Sequence, residues 1–292
     1  MRTIASLALF CGLAAAVPVS PAAHQVVRVM PQTDAELAAL MDVGLDLAGL
    51  DCWTTPSIVG HPVDVHVTPG SEAERAFRKT SYANSTVMVS DLGAQIKAQQ
   101  ADQAAARARS PLKETLNPRG GVPEFYLDYN EIIDYMFIKA AEYPEICTVE
   151  QIGESLEGRG IFILKVHGAN ASPPNKPELY MEAVLHAREW ITSGALNWIL
   201  AEVLEKYGTD ARITAAVDAM DFTFNLVANP DGYQHSHTPL GRLWRKNRSP
   251  SPDPNRPQCI GTDPNRNWPA GWGGDGASTD PCSDAFRTCT HF

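Results

Sequence analysis

Long apolar runs are nearly absent from this chain. Beyond the first 16 residues no stretch approaches the roughly 20 apolar residues that a membrane-spanning helix requires, so no membrane partner is expected. Positive charge is also short: 24 Lys and Arg against 34 Asp and Glu leave a formal charge of -10. Phosphate binding wants a basic face, so nucleic acid is not an expected partner either. No internal repeat of 20–50 residues is visible. What remains is a 292-residue chain that is 44% apolar and 20% charged. That profile suits a globular protein with a sizeable core, built as one large domain or as a small one plus a medium one.

The N-terminus, "MRTIASLALFCGLAAAVPVS", has Arg2 as a positive start, an apolar run from Ile4 to Ala16, and Ala14-Ala15-Ala16 as a cleavage signal. Residues 1–16 are therefore expected to be a signal peptide, and the mature chain secreted and extracellular. Secretion permits disulfides. Removing Cys11 leaves Cys52, Cys147, Cys259, Cys282 and Cys289, an odd number, so at least one is unpaired or pairs between chains. Sequons at Asn84, Asn170 and Asn247 are candidate glycan sites.

A first block spans residues 24–103. "HQVVRVMP", "PVDVHVTP" and "STVMVSD" alternate like strands; "TDAELAALMDVGLD" (capped by Thr33 or Asp34), "GSEAERAFRKT" and "LGAQIKAQQADQAAARAR" read as helices. The order suggests a small antiparallel sheet backed by helices. Residues 104–120 read as an exposed linker, with Arg107, Arg109, Lys113 and Arg119 among Ser, Pro and Gly, either an ordinary connection or a site for a trypsin-like protease. From residue 121 the pattern changes. "YNEIIDYMFIKAAEYP" and "WITSGALNWILAEVLEKYG" are helical, while "IFILKVHG", "ELYMEAVL" and "FTFNLVANPDGY" are apolar runs of strand length. Such strands alternating with long helices predict an α/β sheet covered on both faces.

In "MEAVLHAREWITSG", His186 and Glu189 stand three apart where the apolar run ending at Leu185 meets a helix start. That places His186 at the carboxyl edge of a sheet and Glu189 in the first helical turn. Imidazole and carboxylate are both zinc ligands, though the same pair also fits an ordinary helix start. Further on, "GRLWRKNRSPSPDPNRPQCIGTDPNRNWPAGWGGDGASTDPCS" holds Arg245, Asn265 and Arg266. Two arginines and an asparagine suit a carboxylate clamp, since a guanidinium fork matches a carboxylate; a solvated basic loop is the plainer alternative.

"SLEGR", "HAREWIT", "NPDGY", "RLWRKNRS", "DPNRNW" and the Cys259/Cys282 bracket, in that order, give this chain a close resemblance to secreted zinc metallocarboxypeptidases of the pancreatic A/B type in proenzyme form. The resemblance implies an α/β chain: an N-terminal antiparallel α/β activation peptide at 24–103 that shields the active site, an activation linker at 104–120, and a partial mixed-sheet catalytic domain at 121–292. It implies one Zn²⁺ held by His186 and Glu189, with Asp263 orienting the histidine. Arg245 is implied to polarise the scissile carbonyl, Asn265 and Arg266 to hold the substrate's terminal carboxylate, and Arg188 to contact substrate. A Cys259–Cys282 disulfide, a trypsin-like activating protease, and peptide or protein substrates with a free C-terminus follow in the same way. After Arg287 the pattern stops, and "TCTHF" does not resemble its continuation. The family's third zinc ligand (a histidine), its tyrosine and its glutamate base fall beyond that point. The chain is accordingly expected to lack the C-terminal catalytic half and to be inactive as it stands. His235 and His237, in an expected surface loop, and His291, in the tail, are weak substitutes for the missing ligand. A non-enzymatic binding module and a related zinc deacylase are the competing readings. The activation peptide, Arg245 and the Asn265/Arg266 pair argue against the deacylase.

Overall fold

The computed structural model describes residues 24–46, 50–54, 58–79, 85–109, 123–169, 176–274 and 276–288. The expected signal peptide, the Asn84 and Asn170 sequons, most of the linker with Lys113 and Arg119, Cys289 and His291 lie outside them.

The N-terminal unit runs β1 (Gln25–Val29), α1 (Asp34–Asp46), β2 (Leu50–Cys52), β3 (Val63–Val67), α2 (Glu72–Lys79), β4 (Ser85–Val89) and α3 (Leu92–Arg109). Its sheet has the order β2-β3-β1-β4, antiparallel throughout. Period-two alternation divides the side chains between two faces. Val27, Val29, Val63, Val65 and Val67 bury themselves with Leu40 of α1 and Phe77 of α2. The opposite face carries Val26, which packs with Leu92 and Ile96 of α3 and reaches Leu243 of the second unit. In register with Val26 on that face are His66 and then Asp51. Thr33 caps α1 by accepting from the Glu36 N–H at 3.2 Å, while Glu36 accepts from the Gln32 N–H at 2.6 Å. The helix expected over "LGAQIKAQQADQAAARAR" is found over Leu92–Arg109, so residues 104–109, expected as the start of the linker, are helical. β2 has no sequence signature; its short run is made a strand by pairing with β3.

The second unit contains α4 (Tyr129–Glu142), β5 (Cys147–Glu154), β6 (Gly160–Val166), β7 (Glu178–Glu182), α5 (Trp190–Lys206), α6 (Ala211–Ala219), β8 (Asp221–Asn225), α7 (Pro230–Ser236) and a 3₁₀ turn (Pro264–Arg266). Asp128 and Glu131 form a reciprocal capping box on α4. The sheet order is β5-β6-β8-β7; only β7 and β8 pair in parallel, with α5 and α6 as the crossover. The sheet is mixed, as the family resemblance implied. Leu164, Val166 and Phe224 meet Ile132, Tyr135 and Met136 of α4 and Leu200 and Leu204 of α5 in one continuous core. β7, whose apolar sequence predicts a strand buried on both faces, instead leaves Leu179 and Tyr180 exposed among the described residues. Among the described residues it is the edge strand of the sheet, with β8 as its partner, and the exposed Leu179 and Tyr180 lie on opposite faces of it.

Candidate metal and substrate site

The site begins where parallel β7 and β8 end side by side. The Ala183 N–H donates to the Asn225 carbonyl at 2.9 Å, and that of Ala228 to Ala183 at 2.9 Å, extending the pairing into the loops. Val184 then takes φ 55°, a left-handed conformation unfavourable for a β-branched residue. Its N–H is held by Thr192 Oγ1 at 2.9 Å. The strand expected to reach Leu185 therefore stops at Glu182, and the turn that follows aims His186 inward. Glu189 is the residue preceding α5, not a member of its first turn. Its carboxylate makes no helix-capping bond and faces His186 instead: Oε1 lies 3.0 Å from Nδ1.

The other imidazole nitrogen, Nε2, is 3.1 Å from Asp263 Oδ1. Asp263 is fully enclosed, and its second oxygen accepts from Arg245 Nε at 3.2 Å and Nη2 at 2.9 Å. Its first oxygen also accepts the Asn265 N–H at 2.8 Å, capping the 3₁₀ turn. Burial opposes ionisation of Asp263, but the His186 hydrogen bond and the Arg245 charge outweigh it and hold the carboxyl at about 2. For His186, burial favours the neutral ring, and the bonds to Asp263 and Glu189 raise its pKa overall. Glu189 is lowered on balance, because His186 and the two nearby arginines outweigh its burial.

Four of the expected residues thus form one cluster: His186, Glu189, Asp263 and Arg245. The Ala187 N–H donating to the Arg245 carbonyl at 3.0 Å ties the two loops together. Asn265 joins through its backbone and is exposed. Arg266 is anchored elsewhere, with Nε on the Gly276 carbonyl at 2.8 Å and Nη1 on Asn265 O at 2.9 Å. Cys259 is bonded to Cys282, bracketing this segment, while Cys52 and Cys147 are free thiols whose burial pushes their pKa up to about 12.

Arg188 belongs to both units. Nη1 lies 2.6 Å from Asp51 of β2 and 3.2 Å from Asp284. Trp53 donates to Asp51 at 2.9 Å and has its ring 5.7 Å from the same guanidinium. A cleft of about 730 Å³ remains beside this contact, between Gln99 and Gln103 of α3 and Arg188, Glu189 and Arg242.

Sequence reasoning missed several residues here. Asp51 and Asp284 carry no motif and are revealed only by folding. Lys246 is buried, with Nζ donating to the Pro281 carbonyl at 2.7 Å, and burial lowers its pKa. Asn229 caps α7 and donates to both Leu185 O at 3.2 Å and Lys246 O at 3.1 Å, so it joins three site segments; "NPDGY" was the available signal. His235 and His237 correct the expectation of a surface loop. His235 lies in α7 with its ring 5.0 Å from Trp244, and His237 stacks on Trp190 at 4.1 Å. Among the described residues, no group of three or more His, Cys, Asp or Glu is arranged to hold a metal ion.

The donor set suits a zinc ion in part. An imidazole nitrogen and a carboxylate oxygen 3.0 Å apart, with the far nitrogen braced by a buried carboxylate, are chemically what zinc takes.

Residues 132–292 match the family described as zinc carboxypeptidase, and residues 27–99 match the carboxypeptidase activation peptide. Carboxypeptidase A1 of Sus scrofa is 35% identical over 270 residues, covering 90% of this chain and 61% of the relative. Carboxypeptidase A1 of Bos taurus is 34% identical over 266 residues, with the same coverage. The crystal structure of carboxypeptidase A from Helicoverpa armigera superimposes with a TM-score of 0.80 at 28% identity, over 93% of this chain and 63% of that one. That of thrombin activatable fibrinolysis inhibitor gives 0.69 at 26% identity, over 91% and 64%. This chain therefore spans about 61% of the length of these curated relatives. With both its units matched and the His186–Glu189 pair at the strand ends, the chain belongs to the zinc carboxypeptidase family.

Proposed function

We propose that this chain is the precursor of a zinc-dependent metallocarboxypeptidase that hydrolyses the C-terminal peptide bond of peptides and proteins. The observation that carries the reading is the His186–Glu189 pair, 3.0 Å apart and backed by buried Asp263. His186 and Glu189 would hold one Zn²⁺ per chain; hydrolytic zinc sites use three protein ligands, and among the described residues no group of three is arranged to hold a metal. When bound, zinc supplies Lewis acidity and a water acidified to a pKa of about 7.

The chain's own groups do the rest. Asp263 holds His186 in one orientation and raises its basicity. The same carboxylate fixes the Arg245 guanidinium beside the pair, where it stabilises charge developing on the scissile carbonyl oxygen. Asn265 and Arg266 recognise the substrate's terminal carboxylate, which confines cleavage to the last residue; Arg266 must give up a backbone carbonyl to do so. Arg188 contacts substrate once its Asp51 bond is released.

Residues 24–103 act as the activation peptide, covering the groove through Asp51, Trp53 and Gln99. Gln99 accepts from Arg242 Nε at 2.8 Å. A trypsin-like protease would cut within the 104–120 linker, after removal of signal residues 1–16 on secretion.

Calorimetric zinc titration of the purified chain tests the ligand pair: binding should be lost in His186→Ala and Glu189→Ala, and unchanged binding would exclude the site. On a version extended to the relatives' length, peptides with free C-termini should be cut and amidated ones spared. Equal cleavage of both would overturn the carboxypeptidase reading.

A further inference from the structure

We propose that His24 and His66 form an acid-sensitive latch that loosens the N-terminal unit's hold on the site as the medium acidifies. The proposal rests on the reading that this unit covers the groove. His24 Nδ1 and His66 Nε2 are 2.9 Å apart, a distance that one shared proton satisfies and two protons would not. His24 is buried, and its Nε2 has no hydrogen-bond partner, so a second ring proton there would be enclosed without an acceptor.

The pair stands directly behind the contact that closes the groove. His66 faces Asp51 across the β2–β3 register, its ring lies 5.8 Å from Trp53, and Asp51 reaches Arg188. The His24 carbonyl also accepts the Leu92 N–H at 2.9 Å at the start of α3. That helix contributes Gln99 and Arg107 to the second unit. One pair of rings therefore borders both arms of the interdomain hold.

The charged groups facing the pair are Asp51 from β2 and Arg188 from the 186–189 turn, with Arg245 and Asp284 beyond them. Asp51 favours a charged His66, but it is already paired with Arg188. Burial opposes that charge more strongly, and His24 and Arg188 add to the opposition, bringing His66 to about 4; burial lowers His24 too. The sign follows. A histidine depressed in the docked state leaves docking at full strength above its free value near 6.5 and weakens it as pH falls toward 4. Asp284 acts in the opposite direction, because burial and Asp51 raise its pKa on docking and its protonation favours the docked state. The latch is therefore read from a difference between variants, not from one curve.

The test uses the full chain nicked in the 104–120 linker by brief trypsin treatment, with the affinity between the two pieces measured at pH 7.5 and pH 5. Wild type should lose up to ~30-fold in affinity, the linkage expected of one such histidine. His66→Gln and His24→Gln keep a polar side chain but cannot charge, so their curves should be flatter by that factor. Equal slopes in wild type and both variants would overturn the latch. Pieces that separate at once at pH 7.5 would overturn the covering reading, and the latch with it. Proton NMR titration of the imidazole signals in the intact chain is independent of variant folding. His66 titrating near 6.5 would also overturn the proposal.

Discussion

At the residue scale, Asp263 is where the fold and the site share one group. It accepts from His186, Arg245 and a backbone N–H while fully enclosed. Removing one partner of a buried charge pair leaves the other uncompensated, so Asp263→Asn should destabilise the chain by about 3 kcal/mol in urea denaturation. The same change should weaken zinc binding roughly 10–100-fold, as loss of a group orienting a metal ligand does. Its pH dependence has a definite sign. A carboxyl depressed to about 2 contributes stability that is complete above about 4 and disappears as pH falls through 2. Acid unfolding curves of wild type and Asp263→Asn should therefore converge toward pH 2. Curves that remain parallel would remove Asp263 from the ledger.

At the element scale, α7 shows how a short helix positions loops it does not contain. Gly232 sits in its first turns against the Lys246 carbonyl and the Asn229 side chain; a Cβ there would lie 2.5 Å from that oxygen. Gly232→Ala should cost about 2 kcal/mol by overpacking and shift the Leu185–Asn229–Lys246 junction, lowering the melting temperature measured by circular dichroism. At the start of α4, Asp128 accepts from the Glu131 N–H, while Glu131 also holds Arg107 of α3 through both carboxylate oxygens, at 2.5 and 2.7 Å. Asp128→Ala should cost about 1 kcal/mol as a lost cap. If instead it leaves stability unchanged, the capping box is ornamental to this helix.

At the scale of the whole molecule, the units meet through apolar contacts, Val26, Leu92 and Ile96 with Leu243 and Ala106 in the second unit's core, and through charged ones at Arg188. Arg188 is shared by Asp51 and Asp284, so loss of Asp51 still leaves the guanidinium with a partner. The cost of Asp51→Asn is then below that of an orphaned buried charge, about 2 kcal/mol, or roughly 30-fold in affinity between the pieces of a nicked chain. Isothermal titration at pH 7.5 would measure it, and an unchanged affinity would show that α3 alone holds the units together.

Much of this was legible without coordinates. Alternation in "VDVHV" and the helical periods of "YNEIIDYMFIKAAE" and "WITSGALNWILAEVLEK" dictate strands and helices, because burying one face requires that spacing. His186, Glu189, Arg245, Asn265 and Arg266 stood out for their chemistry and their motifs. The structure decided what depends on residues far apart in the chain. Asp51, His24 and His66 became neighbours only through sheet register, and Asp284 reached Arg188 only through loop closure. The end of β7 at Glu182, where the apolar run continued to Leu185, follows from the left-handed Val184 and its bond to Thr192. Local pattern sets which face of an element must be buried. Which partner buries it, and which charge finds which, is settled by long-range contacts that no window of sequence contains.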